Sequence, residues 1–214
     1  GSKTFTWSPA TTGSVATGYE YQLNNLGWTN NGTNTSIALT GLTGTNTFQV
    51  RAYNASGSGS STTTGSFVIP TINSGPTASP VVYDQATISW TSTNQATYSL
   101  ALPGAAGTPY TGTTNITMNT TKGDLTGNTI YTPTLTIYSS TNDTATTAGA
   151  SFTTPVAPPN PPTNLQRTLN TGSSKTFTWS APSSGPTPTG YEYQLNSNSW
   201  INNGTSLSVT LNGL

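Results

Sequence analysis

The chain has no cysteine and no histidine, and only five basic and five acidic residues among 214. Without cysteine there are no disulfide staples and no thiolate metal sites. Without histidine the side chain most often used as a base near neutral pH is missing. Charged residues make up 5% of the chain and the formal net charge is zero. No basic face is therefore expected to neutralise a phosphate backbone, which argues against nucleic acid as a partner. The same neutrality argues against docking on an anionic membrane surface. No run approaches the roughly 18 apolar residues of a membrane-spanning helix, so no membrane insertion is expected. Neither a signal peptide nor an initiator methionine is visible, which suggests a processed product or a fragment whose secretion signal lies outside these residues. With so few carboxylates, spread along the chain, a paired-carboxylate glycosidase centre is not expected. The reading is of a protein that is not an enzyme and holds no cofactor or metal.

What the chain does have is threonine, serine and asparagine in most polar positions, with five Trp, ten Tyr and five Phe at strand-like spacings. Those aromatics favour folded β-structure over the disorder that low hydrophobicity often brings. The segment Lys3-Thr-Phe-Thr-Trp-Ser8 recurs as Lys175-Thr-Phe-Thr-Trp-Ser180. Gly18-Tyr-Glu-Tyr-Gln-Leu-Asn24 recurs at Gly190–Asn196, and Trp28 with Asn30–Thr33 recurs as Trp200 with Asn202–Thr205. One offset of 172 residues (175 − 3) relates all three, and residues 1–42 align with 173–214 without a gap. A unit of different wording lies between the copies, in which Thr87-Ile-Ser-Trp90 answers Phe5-Thr-Trp7.

Apolar and polar residues alternate in each run, the period-two pattern of a half-buried strand. Phe5 and Trp7, then Tyr19, Tyr21 and Leu23, then Phe48, Val50 and Ala52 are expected to face one core. Asn31-Gly32, Gly41, Gly57-Ser-Gly59, Pro103-Gly104 and Asn203-Gly204 separate the runs with turn chemistry. The expected class is all-β, with one sandwich per unit: residues 1–70, lacking the first strand (A); 71–155; and 156–214, lacking the last two (F and G). Pro-rich joints are expected at Pro70–Pro80 and at Thr154–Thr163, stiff and extended.

These residues resemble the fibronectin type III family, a group of immunoglobulin-like sandwiches. The resemblance lies in Trp7, Trp90 and Trp179 on strand B, in Phe48-Gln-Val-Arg-Ala-Tyr-Asn54 on strand F, and in Leu125-Thr-Gly-Asn-Thr-Ile-Tyr131. It implies that Tyr131 is a tyrosine corner, whose hydroxyl bonds backbone upstream. The first unit departs from the pattern, because Asn46 stands where that Tyr would be, and the bond is expected to be missing there. Pro133 interrupts strand F of the middle unit, which suggests an edge or a bulge. No Arg-Gly-Asp tripeptide is present.

Sequons of the form Asn-x-Ser/Thr stand at Asn31, Asn34, Asn54, Asn115, Asn119, Asn142 and Asn203. Asn31, Asn203, Asn115 and Asn119 are the candidate glycan acceptors, the first two on equivalent hairpin turns. Trp28 and Trp200 precede those turns and are candidate platforms for stacking a ligand. Asp84, Asp124 and Asp143 are isolated in sequence, which disfavours calcium. Lys3 and Lys175 share the inward parity of Phe5, yet Glu20 and Glu192 have outward parity, so a crosslink managed by a buried carboxyl is not expected and each Lys should snorkel to water.

The expected function is a structural or adhesive repeat of an extracellular filament, cell-surface or virion fibre protein. Its expected partners are copies of itself, joined head to tail, with surface glycans as a further class. A carbohydrate- or ligand-binding module is the alternative, together with spacer domains of a secreted polysaccharide hydrolase. A sandwich without strands F and G exposes apolar surface and an open sheet edge. That predicts either a longer periodic chain or strands supplied across a head-to-tail contact, which does not close.

Overall fold

A computed structural model describes residues 1–168 and 172–213, and every regular element in it is a β-strand. The chain divides into two compact units, Gly1–Leu125 with Thr129–Thr154, and Thr126–Asn128 with Pro155–Leu214. The first unit contains two sandwiches with separate cores.

The first sandwich is built from β1 (Ser2–Thr6), β2 (Gly18–Leu23), β3 (Thr29–Asn30), β4 (Ser36–Thr40), β5 (Gly44–Asn46), β6 (Phe48–Asn54), β7 (Gly57–Ser58), β8 (Thr62–Thr63) and β9 (Phe67–Ile69). β1 pairs with β4, and β2 lies between β3 and β6. The alternation of apolar residues puts Phe5 of β1 flat against Phe48 of β6, with ring centroids 4.0 Å apart. Tyr21, Leu23 and Val50 pack against the same cluster. Trp7 faces this core from its margin and is half-buried.

The middle sandwich comprises β10 (Thr71–Val81), β11 (Ala86–Thr93), β12 (Thr97–Ala101), β13 (Tyr110–Gly112), β14 (Thr117–Asn119), β15 (Ile130–Tyr131), β16 (Thr134–Tyr138), β17 (Thr144–Ala148) and β18 (Phe152–Thr153). A three-stranded sheet, β10-β11-β14, faces a four-stranded one, β13-β12-β16-β17. Ile88, Trp90, Leu100, Leu135 and Ile137 are all but sealed between them. The expected Pro-rich joint at Pro70–Pro80 is corrected, because Thr71–Val81 is a strand paired to β11. It can carry Pro76 and Pro80 because it is an edge strand with register shifts, where a missing N–H costs no ladder bond. Pro133 falls where the chain leaves β15, paired with β18, and enters β16, paired with β12.

The second unit holds the third sandwich: β19 (Thr163–Thr168), β20 (Lys175–Ser180), β21 (Glu192–Tyr193), β22 (Ile201–Asn202) and β23 (Ser208–Leu211). β19-β20-β23 form one sheet, while among the described residues the other paired strands are those of the β21-β22 hairpin. The Pro-rich residues 155–162 carry no strand, and Asn160 Nδ2 ties them to this unit by donating to Ser184 O at 3.0 Å.

Candidate functional site

The repeat makes the first and third sandwiches an internal comparison. Trp7 meets Tyr19 edge-on at 5.8 Å and 65°, and Trp179 meets Tyr191 at 5.9 Å and 63°. The same residues thus fold to the same local geometry, and the differences follow from what covers them. In the first sandwich β6 pairs along β2, with Tyr19 opposite Ala52, Glu20 opposite Arg51, Tyr21 opposite Val50 and Leu23 opposite Phe48. In the third, among the described residues, no strand pairs with the free edge of β21. The space left is a groove of about 390 Å³, lined mainly by Phe177, Trp179, Tyr191, Tyr193, Trp200 and Val209.

The β2–β6 pairing also bears on the first of the two candidate platforms. Arg51 lays its guanidinium over the Trp28 ring, 4.0 Å from the centroid. Its Nε and Nη2 donate to Glu20 Oε2 at 2.9 and 2.8 Å, which fixes the cation in place. Trp28 is therefore half-buried under a bound cation, whereas Trp200 is 62% exposed. Glu192 is exposed as well, and no salt bridge to it is found among the described residues. Arg51 was not singled out from sequence; its signal was the parity it shares with Glu20, which puts both on the outer face.

The candidate glycan acceptors fall into two geometries. Asn31 Nδ2, the atom a glycan would occupy, donates to Asn34 O and Ser36 O, both at 3.1 Å. Asn203 Nδ2 repeats this with Ser206 O and Ser208 O, also at 3.1 Å. Asn115 and Asn119 are exposed on the middle sandwich, and the Asn119 Oδ1 accepts from Thr87 Oγ1 at 2.7 Å.

Two of the isolated acidic residues have side-chain partners, Asp143 and Asp124. Asp143 pairs with Lys3 across the two sandwiches of the first unit, which corrects the expectation that Lys3 snorkels to water. The Lys3 ammonium also lies 4.9 Å from the Phe67 ring centroid. Asp124 Oδ2 accepts from Thr121 N at 2.7 Å and from the Tyr110 hydroxyl at 3.2 Å. Burial, and then the adjacent Asp124 carboxylate, push the Tyr110 phenol up to about 12. Among the described residues no three acidic side chains converge on one point.

The expected loss of a corner bond in the first sandwich is also corrected. Asn46 is buried, and its Nδ2 donates to Thr43 O at 3.0 Å and Gly44 O at 2.9 Å. An amide does there what the resemblance assigns to a phenol. Tyr131, at the matching place in the middle sandwich, is 1% exposed and stacks on Phe152.

No protein-family model matches the sequence, and no curated protein does. Among solved structures, the chain is similar to the central fibronectin-III array of RIM-binding protein, at 18% identity over 99% of this chain and 80% of that one, with a TM-score of 0.30. It is similar to domains FN1 to FN3 of chicken CNTN1, at 13% identity over 100% and 84%, with a TM-score of 0.29. A third is the chicken interferon gamma receptor alpha chain, at 11% identity over 72% and 92%, with a TM-score of 0.32. With overlaps at this level, the assignment of tandem all-β sandwiches rests on the chain's own sheets and registers.

Proposed function

We propose that this chain is a non-catalytic structural and adhesive segment of an extracellular filament or surface fibre, in which sandwiches are held in series. The observation that carries the reading is the joint inside the first unit. Only Pro70 separates β9 from β10, and polar bonds pin the two sandwiches together beside it. Val68 N donates to Thr141 Oγ1 at 2.8 Å, Asn94 Nδ2 donates to Ile69 O at 3.2 Å, and Lys3 pairs with Asp143. Such a joint suits an element that transmits load and suits a flexible tether poorly. Head-to-tail assembly of copies is the partner arrangement this supports, since a heterologous contact that does not close makes a fibre. Sedimentation at rising concentration, with electron microscopy of the assemblies, tests it. Growing linear species are expected, and a strict monomer throughout the range overturns the reading.

The exposed Trp200 beside the groove favours one second reading, a carbohydrate-binding module that stacks a sugar ring on the indole. Glycan-array binding that is lost in W200A would support it.

A further inference from the structure

In the middle sandwich, a cleft of about 300 Å³ opens beside Asn119, at the end of the β10-β11-β14 sheet. Asn119-Thr120-Thr121 is a sequon, and both Asn119 and Thr121 are exposed. We propose that Asn119 carries an N-linked glycan whose first sugar is seated in this cleft, against Val82 and Pro80. The proposal rests on the extracellular part of the reading above and not on assembly into a filament.

The cleft is lined by Pro80, Val82, Gln85, Thr87, Asn119 and Thr120 together with Ala86, and none of these is charged. A metal ion or an anion would find no counter-charge there. A neutral sugar finds the Thr87 hydroxyl, the Gln85 amide and an apolar wall. Val82 is 41% exposed, and covering it with the C–H face of a sugar ring is favourable. The volume stands at the lower end, about 300 Å³, of the range for small-molecule sites, which suits one ring rather than a longer chain.

The sequon is held against the cleft by side chain and backbone. Thr87 Oγ1 donates to Asn119 Oδ1 at 2.7 Å. A sugar on Nδ2 leaves that bond intact, whereas Asn31 and Asn203 each donate from Nδ2 to two carbonyls. Thr120 is pinned to Ala86, by Ala86 N donating to Thr120 Oγ1 at 2.8 Å and Thr120 N to Ala86 O at 3.0 Å. In the transfer, Nδ2 attacks the anomeric carbon of a lipid diphosphate-linked oligosaccharide and gives up a proton to the transferase. The anomeric C–O bond breaks and the lipid diphosphate leaves.

The position also gives the sugar a task. β10 and β14 are the two edges of this sheet, and β10 is blunted by Pro76 and Pro80. Thr117–Asn119 has neither proline nor charge to keep another strand away. A bulky, hydrated chain at Asn119 supplies that protection.

The test secretes the intact 214-residue chain from a eukaryotic host, beside Asn119→Gln and Thr121→Ala. An added leader routes the chain, so the outcome speaks of the site, while sedimentation tests the filament reading separately. Mass mapping should find a glycopeptide containing Asn119 that both variants lose. Thr121→Ala keeps the Asn119 side chain and serves as the sugar-free reference. After trimming to a single N-acetylglucosamine, nuclear Overhauser contacts from the sugar to the Val82 methyls are expected. Amide exchange at Val82 and Thr87 should be slower than in Thr121→Ala. Val82→Asp should leave occupancy unchanged and abolish those contacts. A bare Asn119 overturns the site, whatever the state of Asn115. A sugar on Asn119 that neither touches Val82 nor slows exchange overturns the seat.

Discussion

Asn24 Nδ2 donates to Asn46 Oδ1 at 2.9 Å, and the Asn24 Oδ1 accepts from Thr47 N at 2.8 Å. The two amides staple the end of β2 to the entry of β6, and Asn46 spends its remaining donors on Thr43 O and Gly44 O. Removing Asn46 leaves two carbonyls and a side-chain donor short of partners in a partly buried place. Asn46→Ala is expected to destabilise the first sandwich by about 2–3 kcal/mol. Asn46→Asp should be worse, since it removes the donors and buries a charge. Urea unfolding followed by tryptophan emission checks both, and a neutral Asn46→Ala would contradict the staple.

Trp90 and Trp7 occupy matching strands but should respond differently to substitution. Trp90 is 3% exposed and its Nε1 donates to Gln95 Oε1 at 2.9 Å. Gln95 also accepts from Ser92 Oγ and donates to Thr113 O and Asn115 O. Trp7 Nε1 is buried with no acceptor among the described residues. Trp90→Ala should cost about 3–5 kcal/mol. Trp90→Phe should cost clearly more than Trp7→Phe, because only the former strips a bond from a network. Equal losses in thermal unfolding would contradict this.

Much of this fold was legible because its signals are local. Period-two parity placed Phe5, Tyr21 and Phe48 in one core, and the 172-residue offset foretold the matched turns at Gly32 and Gly204, whose φ values are 59° and 57°. The Asn46 amide and the Lys3–Asp143 pair were not legible. Asn46 is a polar residue at a core position, which parity alone reads as a defect. Lys3 and Asp143 stand 140 residues apart, and nothing in composition links them. The Thr71–Val81 strand was hidden by its prolines, which mark turns more often than edges. The role of Arg51 needed the β2–β6 register.

Tyr110 gives the middle sandwich an alkaline limit. Its folded-state value is raised from 10.0 to about 12, so the folded protein holds the phenolic proton more tightly than the unfolded chain does. The resulting stability is fully present below pH 10 and is lost as pH climbs through about 12. Tyr110→Phe should lower stability at neutral pH, by loss of the 2.7 Å bond to Ala106 O, and flatten the alkaline fall. Phenolate absorbance against pH, read beside the unfolding midpoint, shows whether the two transitions coincide.

The ion pair between the two sandwiches of the first unit should be measurable by a double-mutant cycle on Lys3→Ala and Asp143→Ala. Lys3 is 32% and Asp143 13% exposed at the side chain, so screening by solvent is incomplete. A coupling of about 1 kcal/mol that shrinks in high salt is expected. No coupling at low salt would show that the bonds from Val68 N and Asn94 Nδ2 hold the joint without the ion pair.

In a glycosylating host, mass mapping should find Asn115 and Asn119 occupied ahead of Asn31 and Asn203. The latter pair would each give up two hydrogen bonds to carry a sugar. Preferential occupancy at Asn31 would show that modification precedes closure of the turn.

The single residue between β9 and β10 limits how the chain can lengthen. One peptide unit offers at most about 3.6 Å of slack. Tension arriving along Phe67–Ile69 therefore reaches Thr71 at once, and there is no spacer to straighten first. A pulled chain can grow across this point only by unravelling a sandwich. Its force–extension curve should begin stiff and then yield in whole-domain steps.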